Sequence, residues 1–254
     1  MDIITGSMEI LRRHPILVAR GLHSMQHCPI NSTEQCYGEP TMVGLLRLLQ
    51  QWPREDALSE HSVFYDIGSG FGRLSAFLSL ATNASRVRGV EINECRYKES
   101  VKLLRSIRNE ADMMRDRLDF RLGDIRALGF TDATHCLLAS TCWSASLIAN
   151  IFEMAASAQR LGSIIILSKR LPTAWEANPR LTQLASSWGH IVAVNHVPTS
   201  YGGASAFFIR RGRCEQDREH RCWSWQEARA EADRHAQLLT HRGPVVVSRA
   251  NLQR

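Results

Sequence analysis

At 254 residues, with 44% apolar side chains, the chain is long enough for one large domain with a substantial core, and no block has the composition of a disordered segment. No stretch approaches the roughly 18 uninterrupted apolar residues of a membrane helix. The start, with Asp2 and no basic region leading into an apolar one, does not read as a signal peptide, so the protein is expected to stay inside the cell. The net charge of +6 is concentrated late: from Arg210 to Arg254 there are ten arginines against six carboxylates. Seven cysteines are scattered without a CxxC pair or zinc spacing, which reads as free thiols in a reducing compartment. The ten histidines show no metal-ligating spacing either.

In chain order, an amphipathic stretch from Ile10 to Leu22 is broken by Pro15 and followed by a polar loop. Met42, Leu45, Leu46 and Leu49 form a helical stripe over Thr41 to Gln50, closed by Pro53. Strands are predicted at Ser62–Asp66, Arg86–Glu91, Phe120–Leu122, His135–Ala139 and Ser163–Ser168. Helices are predicted between them at Gly70–Thr82, Glu94–Glu110 and Leu147–Ala158. A further helix carries Pro179 in its first turn and ends near Trp188. Strands His190–His196 and Ser205–Arg210 follow, with Gly202-Gly203 as the turn between them. Ser224 and Glu227 have capping-box spacing and open a last helix ending at Gly243-Pro244. Strands separated by helices imply right-handed crossovers and an α/β fold: a Rossmann-like, mostly parallel sheet with helices on both faces.

The strongest chemical signal is Val63-Phe-Tyr-Asp-Ile-Gly-Ser-Gly-Phe-Gly72, a strand running into an acid, three glycines and a helix. Glycines there permit a tight turn and close approach to a ligand, and the helix N-terminus presents free N–H groups. Two more acids sit at successive strand ends. Glu91, about 20 residues on, suits the two hydroxyls of a ribose. Asp124, in Gly123-Asp124-Ile125, suits an adenine amino group, and Asp66 suits the amino-acid end of a cofactor. Three acids would serve a pyrophosphate poorly, so the pattern favours S-adenosylmethionine over a dinucleotide.

Cys36-Tyr37-Gly38-Glu39-Pro40-Thr41 precedes this loop. With Asp66-Ile-Gly-Ser-Gly-Phe-Gly72, Ala81-Thr82-Asn83, Gly89-Val90-Glu91, Gly123-Asp124 and Ser168-Lys169, it resembles the disruptor-of-telomeric-silencing family. These are histone H3 lysine methyltransferases without a SET domain, and the resemblance spans about Tyr37 to Arg210. It implies a seven-stranded class I methyltransferase fold, six strands parallel and one antiparallel. It also implies an extension over 1–35, the catalytic domain over 36–211, and a basic helical extension over 212–254. Tyr37, Gly38, Glu39 and Thr41 would form a loop over the methionine end of S-adenosyl-L-methionine, with Glu39 near its ammonium. Asp66, Gly68, Ser69, Gly70, Gly72 and Arg73 would lie beneath the cofactor, with Glu91 on the ribose and Asp124 and Ile125 at the adenine.

The sequence departs from the family after the fourth strand, where an Asn-Asn-aromatic segment is replaced by Ser140-Thr141-Cys142-Trp143. Thr141, Trp143 and Phe208, with Tyr201 and Phe207, are the candidates for shaping a lysine channel. Cys142 reads as a buried free thiol rather than a nucleophile. The resemblance implies a nuclear enzyme acting on histone H3 in nucleosomes, its basic C-terminus meeting nucleosomal DNA or the acidic patch. A methyltransferase for another protein, an RNA or a small molecule, and a silent chromatin-binding module, are the other readings.

Overall fold

The computed structural model describes residues 9, 10, 12, 13, 38–110, 116–140, 142–168, 178–199, 202–212 and 222–240. Helix α1 (Met42–Gln50) leads into strand β1 (Val63–Ile67), helix α2 (Arg73–Ala81), strand β2 (Arg86–Glu91) and helix α3 (Glu94–Glu110). Strand β3 (Leu118–Leu122), the one-turn helix α4 (Ile125–Leu128), strand β4 (His135–Ala139), helix α5 (Ala145–Ser157) and strand β5 (Ser163–Ser168) follow. Helix α6 (Pro179–Trp188), strands β6 (Gly189–Thr199) and β7 (Gly202–Arg211), and helix α7 (Trp225–Thr240) complete the described elements.

The strands form a seven-stranded sheet in the order β3-β2-β1-β4-β5-β7-β6. The ladders from β3 through β5 are parallel, and β7 runs antiparallel to both β5 and β6. This is the expected α/β architecture. The strand order reverses beside β1, so the carboxyl ends of β1 and β4 diverge into a crevice where open α/β sheets hold ligands.

Both faces of the sheet are covered, which is why its central strands read as unbroken apolar runs rather than alternating ones. On one face, α1, α2 and α3 pack around Phe64, Phe77, Leu78, Leu103 and Phe208. On the other, α5, α6 and α7 pack around Tyr65, Ile67, Ile151, Phe152, Trp188 and Phe207.

Local signals set the helix starts. Thr41 accepts from the Gly44 amide, Ser144 from Leu147 and Asn178 from Leu181, each satisfying a donor the first turn leaves open. Ser224 and Glu227 cap reciprocally, side chain to amide in both directions, at the start of α7. The Ser144 cap starts α5 two residues before the apolar stripe at Leu147. The helix after the glycine loop starts at Arg73 rather than Gly70, because Gly68, Gly70 and Gly72 hold φ of 80°, 56° and 78°, outside the helical region. Gly202 and Gly203, expected as a turn, are instead the first residues of β7, paired with Thr199 and Pro198. The one-turn α4 has no apolar stripe to announce it, and the Ile10–Leu22 stretch lies mostly outside the described residues.

Two of the late arginines serve the fold itself. Arg210 clamps Asp56 with Nε at 3.1 Å and Nη2 at 3.1 Å. Arg211 donates to the carbonyls of Ala156, Ala158, Gln159 and Leu161, where α5 ends with unsatisfied acceptors. They are structural ties, not free basic surface. Helix α7 packs back on the sheet through Ala228 and Ala232.

The cysteines depart from expectation. Cys95, Cys142 and Cys222 are disulfide-bonded, and Cys136 is a buried free thiol whose pKa burial pushes up. Cys142 is therefore neither a free thiol nor a nucleophile.

Phe120 on β3 fills the space that Gly89 and Gly72 leave. A Cβ on either glycine would sit 2.4 Å from its ring. Gly72 is thus a packing glycine as well as part of the loop. Gly89→Ala should cost about 1–3 kcal/mol through overpacking. Urea unfolding should show this loss, and Gly89→Ala with Phe120→Leu should recover part of it. An unchanged midpoint for the single variant would mean the ring moves aside freely.

Candidate active site

The glycine loop is held at the end of the sheet by its neighbour strand. The amides of Gly68 and Ser69 donate to the Val90 carbonyl at 2.8 and 3.0 Å. The Gly70 amide donates to Glu91 Oε2 at 2.7 Å, and the Asn93 amide to Glu91 Oε1 at 2.9 Å. Arg96 stands 4.0 Å from the same carboxylate. Glu91 therefore fixes the loop's shape before any ligand arrives, and each of its oxygens retains acceptor capacity toward a ribose.

Three acids converge here. Asp66 is 1% exposed and accepts from Ser75 Oγ at 2.6 Å. Burial first, then the nearby charges of Glu91 and Glu39, push its pKa up to about 7 despite that hydrogen bond. Glu39, carried by the segment before α1, is paired with Arg73 Nη1 at 2.5 Å, with both side chains largely buried. The Arg73 Nε has no partner among the described residues. An ion pair with a donor to spare suits a zwitterion, whose carboxylate can take Arg73 while its ammonium meets Glu39 and Asp66.

At the other end, Asp124 caps α4 by accepting from the Arg126 amide at 2.9 Å, and its carboxylate is gripped by the Arg126 guanidinium. That bond holds the Asp124 pKa below its ordinary value. The pair is partly exposed, and exposed pairs are worth only about 0–1 kcal/mol, so an adenine amino group can compete for the carboxylate. Ile125 is buried in the core rather than presented to the crevice. Sequence reasoning missed Ile92, an apolar side chain that follows Glu91 and is 50% exposed. Its signal was simply its position after a strand-end acid.

On the β4 side, Trp143 lies against the loop. A Cβ on Gly68 would stand 3.0 Å from Trp143 Cζ2. Ser140 is fully buried at the end of β4, and its hydroxyl, like that of Ser69, has no partner among the described residues. Phe207 and Phe208 do not reach this place. Both are fully buried, on opposite faces of the sheet, and Phe208 packs edge-on against Trp52 at 5.6 Å. Phe208 is a core residue, not a channel wall. Tyr37, Thr141 and Tyr201 lie outside the described residues, whereas Gly38, Glu39 and Thr41 are described, Thr41 as the α1 cap.

The structure thus brings together Glu39, Asp66, the loop from Gly68 to Gly72, Arg73 and Glu91, with Trp143 on the rim. Unpartnered buried groups on Ser69, Arg73 and Ser140, together with a carboxylate-rich cradle, fit a cationic nucleoside bearing an amino-acid tail.

Solved structures share this fold. A structure from Streptococcus pneumoniae, described as a candidate tRNA methyltransferase, matches at 17% identity and TM-score 0.49, covering 74% of this chain and 75% of its own. A candidate RNA methyltransferase from Pyrococcus horikoshii matches at 12% identity and TM-score 0.51, covering 79% and 96%. A Listeria monocytogenes protein of uncharacterised function matches at 17% identity and TM-score 0.50, covering 70% and 74%. At such identities the two likenesses with TM-scores of 0.50 and 0.51 speak to the fold alone. No curated protein matches by sequence. Fold and crevice define an S-adenosylmethionine-dependent methyltransferase of class I. Residues 26–175 match the model of the histone methylation protein DOT1 family, more than half of the chain, and the chain belongs to that family.

Two outcomes follow. Glu91→Ala removes the ribose acceptor and strands the Gly70 and Asn93 amides, each stranded buried donor costing about 1–3 kcal/mol. Calorimetry should show at least about a tenfold loss of S-adenosylmethionine affinity, with a lower melting temperature as well; unchanged affinity would remove Glu91 from the site. The second outcome concerns Asp66. With its pKa raised, the folded chain favours the protonated form, so the stability Asp66 contributes at low pH is lost as pH rises through about 7. A cationic ligand favours the ionised form instead, so binding should release a proton near neutrality and tighten as pH rises through about 7. Titrations in buffers of different ionisation enthalpy would detect that proton, and Asp66→Asn should abolish it.

Proposed function

We propose that this chain is a protein-lysine N-methyltransferase whose acceptor is a lysine in the globular core of histone H3 on nucleosomes. Membership of the histone methylation family carries the reading. Trp143 against Gly68 supports it, as an aromatic wall where the acceptor would enter.

S-adenosylmethionine supplies an electrophilic methyl group to a neutral amine and leaves as S-adenosylhomocysteine. The chain's own task is alignment and desolvation. The glycine loop, fixed by Glu91, sets the donor's position, and an in-line approach accounts for much of the rate. Exclusion of water beside Trp143 lowers the pKa of an entering ammonium and leaves it neutral. The indole face also tolerates a methylated ammonium through cation–π attraction.

A second reading, transfer to another protein, an RNA or a small molecule, is favoured by one observation. With Phe208 in the core, the described acceptor side offers one aromatic ring. The deciding experiment is incubation with labelled S-adenosylmethionine and nucleosomes, free histones or RNA. Label on H3 within nucleosomes is expected; label on RNA alone would overturn the lysine reading. In the same assay Trp143→Ala should slow transfer or change the methyl count by mass spectrometry while leaving cofactor affinity nearly unchanged. A normal rate and product ratio would make Trp143 a packing residue.

A nuclear location and a nucleosome contact belong to this proposal. Because Arg210 and Arg211 are spent inside the fold, the contact falls to arginines further on. Neutralising Arg218 and Arg221 should weaken nucleosome binding, each lost phosphate contact flattening the salt slope by about 0.9. Equal slopes for variant and parent would leave these arginines as ordinary solvated surface.

A further inference from the structure

Helix α2 begins without a side-chain cap of its own. Its N-cap is Gly72, in the left-handed region, so no side chain at that position answers the open amides of the first turn. Ser75 sits in that turn and is fully buried. A buried helical serine commonly returns its hydroxyl to a carbonyl one turn back, as Ser79 does to Ala76 at 2.8 Å in the same helix. Ser75 does otherwise. Its hydroxyl donates to Asp66 Oδ2 on β1 at 2.6 Å. Asp66 is 1% exposed, and its charged neighbours are the acids Glu91 and Glu39. Among the described residues the Ser75 hydroxyl is the one side-chain donor that Asp66 has, and it engages a single carboxylate oxygen.

We propose that Ser75 is a positioning residue of the cofactor site, pinning the Asp66 carboxylate by one oxygen and leaving the other for the ammonium of S-adenosylmethionine. The proposal rests on the cofactor assignment and not on the identity of the acceptor. Its physical basis is a competition over the Asp66 proton. Burial above all drives the carboxyl up to about 7, the Ser75 hydroxyl opposes that rise, and Glu91 and Glu39 add to it. An O–H···O bond of this length is charge-assisted, so it favours the ionised carboxylate over the neutral acid. The choice of a hydroxyl follows from the ligand. A cationic side chain in this place would stabilise the carboxylate but compete with the cofactor's ammonium for it. A neutral donor stabilises the charge and leaves it unanswered, to be met by the ligand. The same bond also ties β1 to the start of α2, and a tie of that kind contributes alike at every pH. Preference for the charged form is what separates positioning from anchoring.

The test follows Asp66 and cofactor binding separately in the full chain. NMR on protein carrying carbon-13 aspartate, with Asp66→Asn to assign the signal, reads the Asp66 midpoint without cofactor. Calorimetry across neutral pH reads S-adenosylmethionine affinity. A lost hydrogen bond to a charged group corresponds to about one pKa unit or more. Ser75→Ala should therefore move both midpoints upward by that amount from about 7. Affinity near neutrality should fall about fivefold, as the ionised fraction falls, and the loss should shrink well above the new midpoint. Ser75→Thr keeps the hydroxyl and should retain the parental midpoints, even with a lower melting temperature from its added methyl group. An unmoved Asp66 midpoint in Ser75→Ala overturns the proposal. So does an affinity loss equal at every pH, the mark of a purely structural tie, and so does Ser75→Thr shifting as far as Ser75→Ala. If the parent binds no cofactor, the methyltransferase reading fails, while the NMR midpoints still decide whether Ser75 governs Asp66.

Discussion

The Glu91 carboxylate is the contact on which the site depends. It accepts from the Gly70 and Asn93 amides at 2.7 and 2.9 Å while nearly excluded from water. Charge-assisted bonds of this kind are roughly twice as strong as neutral ones, and they close a loop that three left-handed glycines would otherwise leave loose. Strand β2 thereby dictates the shape of the turn after β1. The parallel register, Asp66 beside Gly89 and Ile67 beside Val90, brings that carboxylate level with the loop. Phe120 then fixes the arrangement from β3 by occupying the space both Gly72 and Gly89 leave. Loop, acid and ring form one mechanical unit spanning three strands.

That unit is electrostatically biased before any ligand binds. Asp66, Glu39 and Glu91 are near enough that the latter two raise the pKa of the first, and positive charge answers through Arg73, paired with Glu39, and Arg96, 4.0 Å from Glu91, with none set against Asp66 itself among the described ion pairs. Burying like charges together is costly, and the chain relieves the cost by holding Asp66 partly protonated and Glu39 paired. A ligand with a sulfonium and an ammonium reverses the balance. It offers the missing positive charge, and its carboxylate offers Arg73 a replacement for Glu39. The cost of gathering three acids in one crevice and the selectivity of that crevice for a cationic zwitterion thus have the same origin.

The fold was legible in the sequence because its signals are local. The Ser224–Glu227 capping box, the apolar stripe of the first helix and apolar runs of strand length each depend on a few neighbours only. The acids at strand ends were legible for the same reason. What escaped depends on distant partners. Phe207-Phe208 reads like a wall beside a site, but a strand covered on both faces buries both rings. Arg210 and Arg211 read as basic surface until Asp56 and the end of α5 are seen beside them. Cysteine spacing says nothing about which thiols meet, so the disulfides were invisible. Ile92 carries no pattern at all beyond following Glu91.

The two sides of the crevice therefore differ in how they are held. The cofactor side is fixed by hydrogen bonds and packing within the sheet. The acceptor side is carried by a short segment after β4, where Ser140 is buried with no partner for its hydroxyl among the described residues and Trp143 packs between Gly68 and the core. An unsatisfied buried hydroxyl is a standing cost of about 1–3 kcal/mol. With the family's amide side chains replaced and Phe208 in the core, the half-buried Trp143 indole over Gly68 is what the described acceptor side presents, while Ser140 stays sealed beneath the surface.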